Sequence, residues 1–512
     1  MQEVQVTPPA AEPTPRGKPT VKARLVTAIR RVPTPLAILL AAATVMSVAW
    51  ATVVPPLQSP DEIAHFSYAQ RIAEGKGLPQ HIRNGPSYST EIGVADQYLN
   101  LAMLVGNLQG RPETNPVMVR KWEQVVKALP SSIRSDGVGG NPARQNPPLY
   151  YLYETVPYLI TYHASILDRL LLMRLFDLPL YLSTIVFAWL IAGELLGPRQ
   201  WPKAVAAGVV AVHAQLAFIG SSINPDIALA AIWSMFFWVA IRTVKYGPTL
   251  RRVLAIGLLF AASFLSHARG FPLVLPAAAA LALGYWRHRP VSLRGASWFG
   301  AAAVIGGAAV IGYQSYVSGT GTTVNLSSIS SNAAGGKPAS IREFLSYVWQ
   351  FYLPKLPFQD PMIGPHYTYK RAFVDTFYGI FGNLEVEFPP WVHSWELWFS
   401  LALVAGVVLT VIVRWRSVLR QWDVALVLLA GIVGLIGGLH WAAYHLMLIN
   451  PGDPILVGRY LLPLIALFGV AVAMVCTALP RRIGPYVGVA VVVLGLALEL
   501  SGLGMTALRF YA

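Results

Sequence analysis

Long apolar runs separated by short polar connections set the pattern of this chain. The runs fall at about 36–54, 170–196, 204–222, 227–243, 253–267, 271–286, 296–317, 394–413, 424–446, 458–478 and 485–505. Most approach the roughly 20 residues that a helix needs to cross the hydrocarbon core of a bilayer. The pattern predicts an all-α polytopic membrane protein with about 11 transmembrane helices. The run at 253–267 is short enough to fit either a full crossing or a re-entrant segment.

Two connections break the rhythm, at 55–169 and 318–392. Loops of that length in a helical bundle are unusual, and long ordered loops tend to carry function. The first has helical patterning at about 60–74, 97–107 and 115–128, interrupted by clusters such as DGVGGNP (136–142). The second opens with the polar stretch GTGTTVNLSSISSNAAGGKP (319–338) and turns aromatic from Phe344 to Trp398. Residues 1–35 are rich in proline and basic side chains and read as a disordered cytoplasmic tail. The transmembrane domain then occupies 36–512. Its first run is longer than the apolar part of a signal peptide, although AWA (49–51) faintly imitates a cleavage site, and it reads as a retained span.

Composition agrees with this reading. Of 512 residues, 55% are hydrophobic and 12% charged, and the mean hydropathy is +0.51. A net charge of +15 would suggest nucleic acid in a soluble protein, but membrane proteins collect Lys and Arg on cytoplasmic loops. With the N-terminus inside, the short connections and the tail hold 20 basic residues against three acids, Glu3, Glu12 and Asp423. The two long loops hold equal numbers of each sign and fall outside. No nucleic-acid partner is therefore expected. A single cysteine, Cys476, excludes an intrachain disulfide and a cysteine-based metal site.

Candidate chemistry begins just after the first span, in SPDEIAHFSYAQ (59–70). Ser59 as N-cap, Pro60 at the first helical position and Glu62 at the third fit a capping box, with Asp61 favoured by the helix dipole. His65 lies one turn from Asp61 on the same face. A carboxylate and an imidazole so placed suit a general base steadied by a neighbour, or two ligands of a divalent cation. On these residues alone the capping and catalytic readings of Asp61 both stand.

Arg459 in VGRYLLP (457–463) and Arg269 in SHARGF (266–271) stand at outer ends of spans. A guanidinium there can grip a lipid phosphate or simply occupy the interface beside a belt residue such as Tyr460. Asp226 in NPD (224–226) reads as a capping acid or a site member. Tyr150 and Tyr151 in NPPLYYLYE (146–154) read as interfacial rings or the wall of a lipid groove. Tyr378, Asn383, Glu385 and Glu387 suit sugar binding or a structural lid, with Glu385 the acceptor-site candidate. Neither a zinc-protease helix nor a nucleophile elbow occurs.

Taken in order, PDEIAHFSYAQRIAEG (60–75), NPPLYY (146–151), MRLFDLPLYLS (173–183), NPD, FYGIFGNLEVEFP (377–389) and VGRYLLP resemble a bacterial family of multi-spanning membrane proteins long filed as being of unknown function. That family in turn resembles the GT-C superfamily of membrane glycosyltransferases. The resemblance covers about 36–480. Many family members read PPDEP where this chain reads QSPDEI, and the acidic pair survives the difference.

The resemblance implies a GT-C-like bundle in the bacterial cytoplasmic membrane, with its site on the outer face. Asp61 with Glu62 beside it would be catalytic, and Arg459 and Arg269 would bind the phosphate of a polyprenyl-phosphate sugar. His65, Asp226, Tyr150, Tyr151, Glu385 and Tyr460 would support the site. A divalent cation, Mg²⁺ or Mn²⁺, would use Asp61, Glu62 and His65, and whether one is required stays open. The acceptor would be a glycan, lipid or protein of the cell envelope, and the outcome inversion. Two alternatives are a lipid-linked saccharide transporter and a noncatalytic assembly protein. Transport calls for charges deep in the spans, and here Glu194 and Glu499 fall near the ends of theirs.

Overall fold

The computed structural model describes residues 32–82, 84–113, 115–290, 292–318, 340–364, 367–448 and 456–512. The expected tail lies almost wholly outside these residues, as do the polar stretch at 319–338 and most of the connection at 450–457.

The first half of the described chain runs α1 (Thr34–Val53), α2 (Glu62–Ala73), α3 (Thr90–Tyr98), α4 (Pro116–Ala128), α5 (Leu149–Ile160), α6 (Ile166–Phe176), α7 (Leu178–Leu196), α8 (Gln200–Ala211), α9 (Ala214–Ile219), α10 (Pro225–Tyr246) and α11 (Leu250–Ser266). After a 3₁₀ turn at Ala268–Leu273 come α12 (Val274–Arg287), α13 (Leu293–Val317), α14 (Ile341–Tyr352), α15 (Pro390–Val413) and α16 (Trp422–Met447). A second 3₁₀ turn, Gly458–Leu464, leads into α17 (Ile465–Ala478) and α18 (Gly484–Tyr511). The one sheet among the described residues is the antiparallel pair Ile380–Phe381 and Val386–Glu387 in the second long loop. The fold is an all-α polytopic membrane protein.

Among the described residues, nine helical segments are long and apolar enough to span a membrane, against the eleven expected. The run at 204–222 is split because His213 interrupts it, its Nδ1 accepting the Leu216 amide (3.3 Å) to start α9 afresh. The run at 253–267 becomes α11, whose 17 residues reach only about 26 Å. In the first loop the helix expected at 97–107 sits earlier, at α3. Ser89 caps its start, and Asn100 in the left-handed region ends it. Close helix contacts rest on small residues: a Cβ on Gly469 of α17 would lie 2.4 Å from the Ala206 carbonyl of α8.

Contacts between the C-terminal end of α18 and the first loop settle which elements share a side. Arg111 donates to the Ala512 carbonyl (2.9 and 2.8 Å), and Arg509 donates to the carbonyls of Leu104, Asn107 and Gly110. The end of α18 therefore lies on the same side as the first long loop.

The entry into that loop is fixed by one side chain. Arg174, near the end of α6, donates to both carboxylate oxygens of Glu62 (2.8 and 2.6 Å) and to the carbonyls of Ala51, Val54 and Pro55 (2.9, 2.7 and 2.8 Å). Both partners are buried, the arginine side chain 3% exposed and the glutamate fully covered. The capping box expected at Ser59 does not form, because Glu62 turns inward to Arg174 and the Ile223 amide (3.2 Å). Residue 61 is instead forced into the left-handed region, at φ 60°.

Removing one partner of such a pair strands a buried charge. Glu62→Ala and Arg174→Ala are each expected to cost about 3–5 kcal/mol. Thermal unfolding of the detergent-purified protein should show each midpoint falling well below wild type, with the double substitution costing less than the two losses combined.

Candidate functional site

With Glu62 drawn inward, the left-handed turn throws the Asp61 side chain to the outside. It caps nothing, and 54% of it is exposed. Facing it is Arg459, whose Nη2 lies 2.7 Å from Asp61 Oδ2. The 3₁₀ turn that carries Arg459 is seated by Gly458. Its amide donates to Thr376 Oγ1, and any Cβ there would lie 2.4 Å from the Phe373 carbonyl. Glycine is the residue that lets the turn close onto 373–377.

Two more charges complete the cluster. Asp226 stands at the start of α10, which Asn224 caps by accepting the Asp226 amide (3.0 Å), as the NPD pattern suggests. The Asp226 carboxylate itself pairs with Arg269 (2.8 Å) and lies 3.8 Å from Arg459 Nε. The Arg269 guanidinium lies 3.8 Å from the centroid of the Tyr460 ring, and the Arg459 guanidinium 5.5 Å from it. Asn224 also donates to the Pro60 carbonyl (3.2 Å), tying α10 to the Asp61 turn. Two arginines thus face two carboxylates across one aromatic ring. Arg459, only 7% exposed at its side chain, leaves Nη1 without a hydrogen-bond partner among the described residues.

His65 joins from α2. Its Nδ1 lies 2.9 Å from the Tyr151 hydroxyl, which accepts from Asn146 (2.8 Å) while its ring stacks on Tyr68 (3.8 Å between centroids). Burial pushes the His65 imidazole down to about 4; Arg459 and Arg269 add to that, and Asp61 and Asp226 oppose it. His65 is therefore neutral near pH 7. Burial works to raise the Asp61 carboxyl, but Arg459, His65 and Arg269 together hold it below the usual carboxylate range. Tyr88, buried in part and close enough to feel the Asp61 charge, is raised in consequence.

Of the residues singled out in the sequence, Asp61, His65, Asp226, Arg269, Arg459, Tyr151 and Tyr460 meet in this cluster. Three do not. Glu62 is committed to Arg174, so it is no partner for Asp61 in catalysis, and Asp61, Glu62 and His65 do not form a set of metal ligands. Among the described residues no group of three or more His, Cys, Asp or Glu side chains is placed to hold a metal ion. Tyr150 turns to the other side of α5 and donates to Asp177 (2.7 Å). Glu385 pairs with Arg509 (3.1 Å) on α18, which fastens the second loop to the last helix. His267, which the sequence suggests is a polar packing residue, accepts the Arg269 amide on Nδ1 (3.0 Å) and lies 3.2 Å from its guanidinium through Nε2. Its place beside Arg269 in SHARGF was the available signal. Tyr88 carried none.

Residues 45–468 match the family model described as "Predicted membrane protein (DUF2142)". No curated protein and no solved structure matches the chain.

The depressed imidazole has a consequence for stability. Unfolded, His65 binds a proton near pH 6.5; folded, only near 4. Between those values the unfolded chain carries the extra proton, so stability present above pH 6.5 is lost as pH falls toward 4. His65→Gln should flatten the fall of the thermal midpoint in that window, removing up to about 1.4 kcal/mol per pH unit of slope. Equal slopes in wild type and variant would refute the buried, neutral assignment.

Proposed function

The chain belongs to this family, and we propose that it is an integral-membrane glycosyltransferase of the GT-C type. It would transfer a sugar from a polyprenyl-phosphate donor to a glycan, lipid or protein acceptor of the cell envelope. The observation that carries the reading is the pairing of a half-exposed carboxylate, Asp61, with a buried arginine whose Nη1 has no hydrogen-bond partner among the described residues, Arg459. Buried cations are retained where they meet an anion, and a guanidinium fits a phosphate bidentately.

In this reading the donor phosphate rests on Arg459 and Arg269. The acceptor hydroxyl meets Asp61. Its oxygen attacks the anomeric carbon and gives its proton to the Asp61 carboxylate. The bond from the anomeric carbon to the phosphate oxygen breaks, and the phosphate leaves with the electron pair. The charges explain why the arrangement is useful. At rest, two arginines balance two carboxylates. Once Asp61 takes up the proton, one positive charge is left over as the leaving phosphate gains a negative one. Arg459 must also loosen its hold on Asp61 to engage phosphate, which raises the basicity of that carboxylate at the moment it is needed. His65, fixed by Tyr151, lines the approach to Asp61 in its neutral form.

A second reading keeps one observation of its own. In the structure Glu499 lies in the middle of the 28-residue α18, fully buried, with neither carboxylate oxygen hydrogen-bonded among the described residues. The sequence places it near a span end only because the apolar run stops short of the helix. Together with the break between α8 and α9, it fits a lipid-linked saccharide transporter, in which interrupted helices and intramembrane acids form the path.

One comparison separates the two. Purified protein is incubated with a panel of polyprenyl-phosphate sugars, and release of the carrier phosphate is followed. Asp61→Asn should lower the rate about 10²–10⁴-fold with expression and thermal midpoint retained, while Glu499→Gln leaves turnover in place. Full activity in Asp61→Asn would refute the catalytic assignment. Uptake into vesicles that depends on Glu499 but not Asp61 would favour transport.

A further inference from the structure

We propose that the end of the bundle opposite Asp61 holds a binding site for the headgroup of an anionic phospholipid. The 22 residues of α10 carry the chain about 30 Å from Asp226 to Tyr246. At that far end lies a cavity of about 720 Å³, lined by Trp238, Arg242, Thr249, Leu250, Arg251 and Arg252 among others. A second cavity of about 270 Å³ shares Trp238 and Arg242 with it and adds Lys203, Glu194 and Tyr246.

The charge of this place is lopsided. Arg242, Arg251, Arg252 and Lys203 line the two cavities, and Glu194 is the one acid among their lining residues. Glu194 is already engaged by Arg242 (2.6 Å), Lys245 (3.5 Å to its carboxylate) and the Tyr246 hydroxyl (2.8 Å). Arg252 donates to the Gly247 carbonyl (2.7 Å), which fixes its direction. Arg251 is exposed at the cavity mouth. The cations are held against rings rather than waving in solvent: Arg242 lies between Trp238 (5.2 Å) and Tyr246 (5.1 Å), and Lys203 lies over Trp189 (5.1 Å).

Ordinary positive-inside arginines need only a surface. Here they line an open depression large enough for a small polar molecule. Trp238 and Tyr246, rings of the kind that settle beside headgroups, line the two cavities, and exposed Leu250 and Leu258 lie along α11, offering an acyl chain a track. Those features together suit a phosphodiester with an attached chain, which is to say an anionic lipid.

The test uses the full chain purified in detergent, with retained lipid counted by native mass spectrometry after adding phosphatidylglycerol or phosphatidylcholine. Wild type should hold phosphatidylglycerol in preference to phosphatidylcholine. Arg251→Gln with Arg252→Gln should weaken that retention about 30-fold, at roughly one tenfold step or less per cation. The control is Arg481→Gln with Arg482→Gln, two exposed basic residues at another turn, which should change nothing. Equal loss in both pairs, or equal retention of both lipids by wild type, would overturn the proposal. So would displacement of the lipid by inorganic phosphate at matched concentration, which would reassign the cavity to a free anion.

Discussion

One buried guanidinium organises the end of the bundle that carries Asp61. Arg174 gathers the carbonyls at the end of the first span and the carboxylate at the start of the next helix. The chain between them has no freedom to run on as a capped helix. It must turn through residue 61 in the left-handed region, and a non-glycine residue there carries a real conformational cost. The ion pair offsets that strain. Its effect is to send one carboxylate inward, where it is structural, and the adjacent one outward, where it can act.

From that turn the rest of the cluster follows by packing. Asn224 holds the Pro60 carbonyl, which sets the start of α10 beside the turn and puts Asp226 within reach of both arginines. Gly458 lets the 3₁₀ turn before α17 press onto 373–377, which brings Arg459 across nearly 400 residues of sequence to Asp61. The charges balance at rest, and the member with the most exposed surface is Asp61. A site that is neutral until one acid is protonated is well matched to a reaction whose leaving group gains negative charge.

Much of the architecture was legible in the chain because a bilayer demands about 20 apolar residues and little else imitates them. Two of the expected runs are not single long helices, for local reasons. The run at 204–222 stays apolar through His213, so hydropathy conceals the break that the histidine side chain makes, and α11 is short rather than polar. At the site, Asp61, Arg269 and Arg459 stood out because charges beside the ends of apolar runs are few. Glu62 was misread because Ser-Pro-Asp-Glu satisfies a capping box by spacing, and nothing local announces an arginine 112 residues away that claims the carboxylate first. Glu385, left open between sugar binding and a structural lid, could not be resolved locally for the same kind of reason: its partner, Arg509, comes from the last turn of the last helix. Local pattern reports what a residue can do next to its neighbours, and long-range pairing decides what it does.

The central claim is that a carrier phosphate docks on the arginine facing Asp61. A structure of the protein determined with a bound polyprenyl phosphate tests it most directly. The account predicts phosphate oxygens about 3 Å from the Arg459 guanidinium, with Arg269 on the same group and the link from Arg459 to Asp61 opened. Phosphate bound away from both arginines, with that link still closed, would contradict it.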